Sequence, residues 1–211
     1  MEQIVRLIFS TNFLFSVIRL STPILFATMA VLISNRAGVI NIAVEGTMLF
    51  AALMGVVGSA FSGNAWIGLL VAVLSGMLFS AIIAYFHLKL ETDIVLTGIA
   101  LSVKGVRLKA LLISGAIAGF GGAFMSMSYV SMFTKDMVAG RGFIALAAEA
   151  MGQGNPVLST LSALFFGATD ALSNNLQLFN FPSELTRLMP YALTIIALAF
   201  YAARMKRQLK K

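Results

Sequence analysis

Of the 211 residues, 59% are apolar and 11% charged, with a mean hydropathy of +0.94, whereas a soluble domain carries about a quarter charged residues. The net charge of +7 is concentrated at Arg204, Lys206, Arg207, Lys210 and Lys211, straight after the last apolar run, which suits a cytoplasmic membrane flank and argues against nucleic-acid binding. The absence of cysteine excludes a disulfide framework and any thiolate metal site, and one histidine, His87, leaves little material for a metal or proton-relay site.

The first residues, MEQIVRLIF, carry neither a basic n-region nor a small-residue cleavage site, so a removable signal peptide is not expected. A first apolar block covers about Phe13 to Ser34, with Arg19 able to snorkel to the interface. It leads into RAGVINIAVEGTMLF, Arg36 to Phe50, the most informative stretch of the chain. Here Asn41 and Glu45 sit four residues apart in an apolar setting, flanked by Gly38 and Gly46. A carboxylate at this position is costly unless it faces protein or water, about 2.5–3.5 kcal/mol at a span's centre. The stretch therefore reads as a broken helix lining something polar, with Asn41, Glu45, Gly38 and Gly46 as substrate-path candidates. A second reading has Glu45 capping the N-terminus of its own following helix, and this reading is the favoured one. For Asn41, hydrogen bonding to freed backbone groups stands level with substrate contact.

Gly46–Phe86 is uncharged and long enough for two spanning helices, with Ser62-Gly63-Asn64 as the turn and Trp66 as an interfacial anchor. Lys89, Glu91 and Asp93 mark a loop, after which Ile94–Leu101 opens an apolar segment that stops at Ser102, before Lys104, Arg107 and Lys109. A run this short cannot cross a bilayer. Ala110–Thr134 is again uncharged, and Ser114, Gly115, Ala118, Gly119 and Gly122 give it a small-residue ridge for close helix packing. Lys135, Asp136 and Arg141 read as a loop. Phe143–Met151 is short and interrupted by Glu149. It ends in Gly152-Gln153-Gly154-Asn155-Pro156, a rigid turn. The lysine and arginine bias puts this turn, the Lys104–Lys109 stretch and the C-terminal tail inside. Phe143–Met151 must then return inward as a half-length or broken helix buried in protein. Val157–Leu176, carrying Asp170, Asn174 and Asn175, and Leu188–Ala203 complete the spans. The expectation is an all-α, polytopic transmembrane helical bundle of about six spanning or partly spanning helices, forming one domain over residues 1–211.

Thr22–Ala51 (TPILFATMAVLISNRAGVINIAVEGTMLFA) resembles the N-terminal signature of ABC-transporter permeases of the sugar and nucleoside branch, relatives of branched-chain amino-acid and ribose permeases. The form Asn41-Ile42…Glu45-Gly46 is similar to the nucleoside branch that works with substrate-binding lipoproteins. LKALLISGAIAGFGGAF from Leu108, GRGFIALAAEAMGQGNP at Gly140–Pro156, LFFGATDALSNNLQ and MPYALTIIAL follow in family order. The resemblance implies a subunit of the plasma or inner membrane without a catalytic site or cofactor. Its implied partners are a separate ABC ATPase, a second permease subunit and an extracytoplasmic substrate-binding lipoprotein. It also implies that Glu149, Gly152, Gln153, Gly154, Asn155 and Pro156 meet the ATPase, although an ordinary inter-helix loop stands beside that reading. No G-x-x-x-x-G-K-[ST] loop is present, in line with ATP hydrolysis elsewhere. Family permeases are longer, and the run from Ile99 into Arg107 implies an internal segment missing near Ser102/Val103. A shortened, non-transporting permease or membrane scaffold is the alternative, and an ion-coupled secondary transporter a weaker one, because few intramembrane acids are available.

Overall fold

The computed structural model describes residues 10–89, 94–129, 132–134 and 137–176, together with 192 and 195. Helices α1 (Thr11–Arg36), α2 (Val44–Ser62), α3 (Ala65–Lys89) and α4 (Ile94–Ala123) are followed by a π-helical turn, Phe124–Tyr129, and by α5 (Arg141–Gly152) and α6 (Pro156–Leu176). Four of these are long and apolar enough to cross a membrane, over Thr11–Arg36, Val44–Ser62, Ala65–Tyr85 and Gly105–Ser128. The all-α membrane bundle is thus established. The expected span Leu188–Ala203, the loop before it and the basic tail lie outside the described residues.

The surface chemistry is that of a protein solvated by lipid. On α3, Leu70, Leu74 and Leu78 are 60–62% exposed, while Ser75 and Ser80 are buried. Apolar side chains gain nothing from leaving a bilayer, so small residues take the interior, where they allow backbones to approach. Along α4, Gly115 and Gly119 meet Gly76, Ala72 and Val73 of α3, while Gly122 lies against the Met48 carbonyl of α2. The ridge thus faces different neighbours, with Gly115 and Gly119 toward α3, Gly122 toward α2, and Ala118 in the core shared by α1 and α2.

Each helix end has a local cause. Ser10 Oγ accepts the Phe13 N–H and starts α1. Pro23, inside α1, is buried against neighbouring helices, as membrane bundles tolerate. Gly63 at φ +65° ends α2, and Asn64 Oδ1 accepts the Trp66 N–H to start α3, so the turn stands where the sequence placed it.

Two expectations are corrected. The apolar segment opening at Ile94 does not stop at Ser102, because α4 runs unbroken through Ser102 and Val103. No proline interrupts this stretch, and isolated glycines such as Gly98 and Gly105 are tolerated inside helices. At 1.5 Å per residue the helix is about 45 Å long, more than a hydrocarbon core of about 30 Å requires. α6 exists as expected but is not among the helices apolar enough to cross, since its last two turns carry Asp170, Asn174 and Asn175. α5, 12 residues long and partly buried, is the half-length helix expected for the return, and residues 137–140 before it are irregular. Met137 and Val138 are buried in the main core with Ala27, Val31, Met48 and Ala118.

Candidate functional site

α1 ends at Arg36 and α2 starts at Val44, so residues 37–43 form the break that the sequence announced. Gly38, at φ +76°, turns the chain out of the helix. Val39 and Asn41 then point inward while Ile40 and Ile42 are exposed, the two-residue alternation of extended chain. Val39 packs with Ala84 of α3 and Leu111 of α4. Asn41, 3% exposed, donates from Nδ2 to Ser114 Oγ at 3.2 Å, and its Oδ1 has no hydrogen-bond partner among the described residues. Gly46 lies against the ring of Phe79, which stacks on Phe50 at 5.4 Å between centroids.

Glu45 does not cap its own helix. The N-cap position of α2 is Ala43, which makes no side-chain bond. Instead the Glu45 carboxylate accepts the N–H of Gly140 at 2.8 Å on Oε1 and that of Gly142 at 2.6 Å on Oε2. It thereby satisfies two orphan donors at the N-terminus of α5, where the helix dipole also favours negative charge. A Cβ on Gly142 would stand 2.7 Å from the Glu45 N and Cα, so only glycine admits this approach. The capping reading was right in kind and wrong in helix.

The opposite end of α5 is tied as well. Asn35 Nδ2 donates to Glu149 Oε2 at 2.6 Å, and Arg36 donates to the Gly154 carbonyl from Nε at 2.9 Å and from Nη2. Glu149, expected on the surface, is 5% exposed. The correction has a simple cause, since a buried carboxylate is tolerated where a hydrogen-bond donor meets it, here the Asn35 amide. Gly152 is buried too, pressed against Ser159 of α6. Of the expected ATPase-facing residues, Gln153, Asn155 and Pro156 are exposed and Gly154 is half-buried. Gln153 and Gly154 take positive φ of 52° and 71°, and Asn155 Oδ1 accepts the Val157 N–H to start α6.

Arg141 was read as a loop marker, but it opens α5. It donates to the Met137 and Val138 carbonyls at 3.2 and 3.4 Å, and pairs with Asp170 at 3.2 Å. One guanidinium thus satisfies backbone freed by the irregular return, and one carboxylate from α6 balances its charge. Sequence reasoning missed Asn35, Gly140, Gly142 and this role of Arg141. Their side-chain partners, Glu149, Glu45 and Asp170, lie 29 to 114 residues away, and periodicity carries no such signal.

The Gly38–Arg107 approach and the Arg36–Gly154 bond bring the basic part of α4, the break and the α5–α6 turn to one end of the bundle. Toward the other end, a cavity of about 310 Å³ is lined by Phe26, Trp66, Leu69, Phe120, Phe124 and Met127, and none of the expected path residues reaches it. Among the described residues no three His, Cys, Asp or Glu side chains gather into a metal site.

A family model described as the branched-chain amino acid transport system permease component matches residues 13–103 and 99–198. The two stretches meet near Ser102/Val103. The chain is 37% identical over 116 residues to a protein of Haloferax volcanii named as a glucose ABC transporter permease, TsgC13, covering 53% of this chain and 35% of that one. It is 23% identical over 285 residues to the nucleoside ABC transporter permease protein NupC of Lactococcus lactis. It is also 23% identical over 286 residues to the guanosine ABC transporter permease protein NupQ of Bacillus subtilis. Each of these last two matches covers 87% of this chain and 90% of the relative, so both relatives carry length inside the match that this chain lacks. No solved structure matches the chain. With its break, its bracketed short helix and both halves matched, the chain belongs to the family of branched-chain amino acid transport system permease components.

Proposed function

We propose that the chain is the membrane-embedded permease subunit of an ATP-binding-cassette importer that passes nucleosides or related sugars. The observation that carries this reading is the likeness to two nucleoside permeases over 87% of the chain. ATP is hydrolysed by a separate subunit docked on the exposed α5–α6 turn, where Gln153, Asn155 and Pro156 present polar and rigid contacts beside Val157 and Leu158. A substrate-binding lipoprotein delivers from the opposite face, and a second permease chain completes the path. The end bearing Arg36, Arg107 and the α5–α6 turn is cytoplasmic, as the positive-inside rule favours. Asn41 serves as a path residue, because its buried Oδ1 is free to accept from a substrate hydroxyl once the helices part.

Co-reconstitution with a partner ATPase and substrate-binding lipoprotein tests the reading. ATP-dependent uptake of a labelled nucleoside is expected, abolished by a hydrolysis-dead ATPase. An assembled complex that takes up neither nucleosides nor sugars would instead favour the shortened, non-transporting permease.

A further inference from the structure

Both ends of α5 are fastened to the two sides of one break. Glu45, at the start of α2, holds Gly140 and Gly142 at its N-terminal end. Asn35 and Arg36, at the end of α1, hold Glu149 and Gly154 at its C-terminal end. Twelve helical residues span about 18 Å. The intervening chain, 37–43, has the irregular backbone of a hinge, with Gly38 at positive φ. α5 therefore braces the hinge as a strut. Any tilt of α5 must change how α1 and α2 diverge, and Asn41 lies within that divergence.

From this geometry we propose that Glu45 is a positioning residue that transmits motion of α5 to the α1–α2 hinge and thereby sets the opening of the path at Asn41. This rests on the permease reading, in which the exposed edge of the α5–α6 turn receives the push of ATP-driven subunits. Three features support a transmission role over a merely local cap. The carboxylate makes two bonds to one helix from another. The Gly142 approach leaves no slack between the helices. The distal fastening falls on the other side of the same break, so movement at one end cannot be absorbed without movement at the other.

The decisive experiment uses the complex with ATPase and lipoprotein, carrying E45Q, E45A or, at the far end of the strut, N35A. Expected is a fall of about tenfold in substrate taken up per ATP hydrolysed in E45A and N35A, with E45Q intermediate. The substrate concentration giving half-maximal uptake should stay constant, and co-purified ATPase should match the wild type. A raised half-maximal concentration in the Glu45 variants with normal coupling in N35A would mean direct substrate contact and overturn the proposal. So would unchanged coupling in E45A. Absence of uptake by the unaltered complex would count against the permease reading, and the strut is then decided by distance. The chain has no cysteine, so spin labels at F61C on α2 and A150C on α5 report on it cleanly. A distribution clearly broadened by E45A supports the proposal, and an unchanged one refutes it.

Discussion

Gly76 and Gly115 are reciprocally fitted. A Cβ on either would stand 2.5 Å from the carbonyl oxygen of the other, so α3 and α4 touch backbone to backbone at this level. Neither oxygen can withdraw, because each belongs to a helix. Alanine at either position should therefore push the helices apart and cost about 1–3 kcal/mol, the usual penalty for overpacking. Gly105, on the same helix with nothing within 4 Å, supplies the contrast. G105A should stabilise by about 0.4–1 kcal/mol. Thermal unfolding in detergent checks all three, and equal effects at Gly105 and Gly115 would contradict the close approach.

Asp170 balances Arg141, and Arg141 also serves two carbonyls. D170N should cost about 1.5–3 kcal/mol, the range for hydrogen bonds to charged groups. R141M should cost more, because it also strands the Met137 oxygen, whereas the Val138 oxygen keeps the backbone N–H of residue 141. In a double-mutant cycle followed by SDS-induced unfolding, D170N should add little to R141M. Full additivity would mean that the two side chains act independently.

Glu149 faces inward, so its substitution acts first on folding. E149Q keeps an acceptor for Asn35 and should accumulate as folded protein. E149K places a cation opposite the Asn35 amide donor in a buried site and should lower folded yield severely, since an uncompensated buried charge costs about 3–5 kcal/mol. Size-exclusion profiles of the detergent-solubilised variants read this directly, and a folded E149K would show that the site opens to water.

Asn155 has two separable tasks. As the N-cap of α6 its loss in N155A should cost about 1 kcal/mol, while N155S retains the cap. If the ATPase also needs the exposed amide, N155S will weaken co-purification without lowering thermal stability. Equal loss of both in N155S would tie docking to helix structure alone.

Much of this architecture was legible in residue order. The uncharged runs located α1 to α3. Ser62-Gly63-Asn64 located their turn, and Gly38 with Asn41 located the break. Hydropathy failed at Ser102 because it measures how long a chain stays apolar, whereas helical continuity depends on the absence of breakers, and a helix can leave the bilayer without ending. It failed at Glu149 because a carboxylate reads as surface until its donor is known, and Asn35 lies 114 residues earlier. The capping chemistry of Glu45 was readable, but its address was not. A carboxylate seeks unsatisfied N–H groups, and here those of α5 come nearer than those of its own helix.

The unbroken α4 settles an angular matter as well as a linear one. Because residues on both sides of 102 and 103 share one helix, each residue added or removed there turns the preceding segment by about 100° relative to the bundle. Sidedness obeys a parity rule at the same point. α3 runs antiparallel to α4, with Gly68 near Met127 and Ala84 beside Leu111, so the end of α3 and the Arg107 level of α4 lie at one face. A segment inserted at the seam leaves everything after it correctly sided only if it crosses the membrane an even number of times. The continuous helix thus fixes the rotation of one matched half against the other.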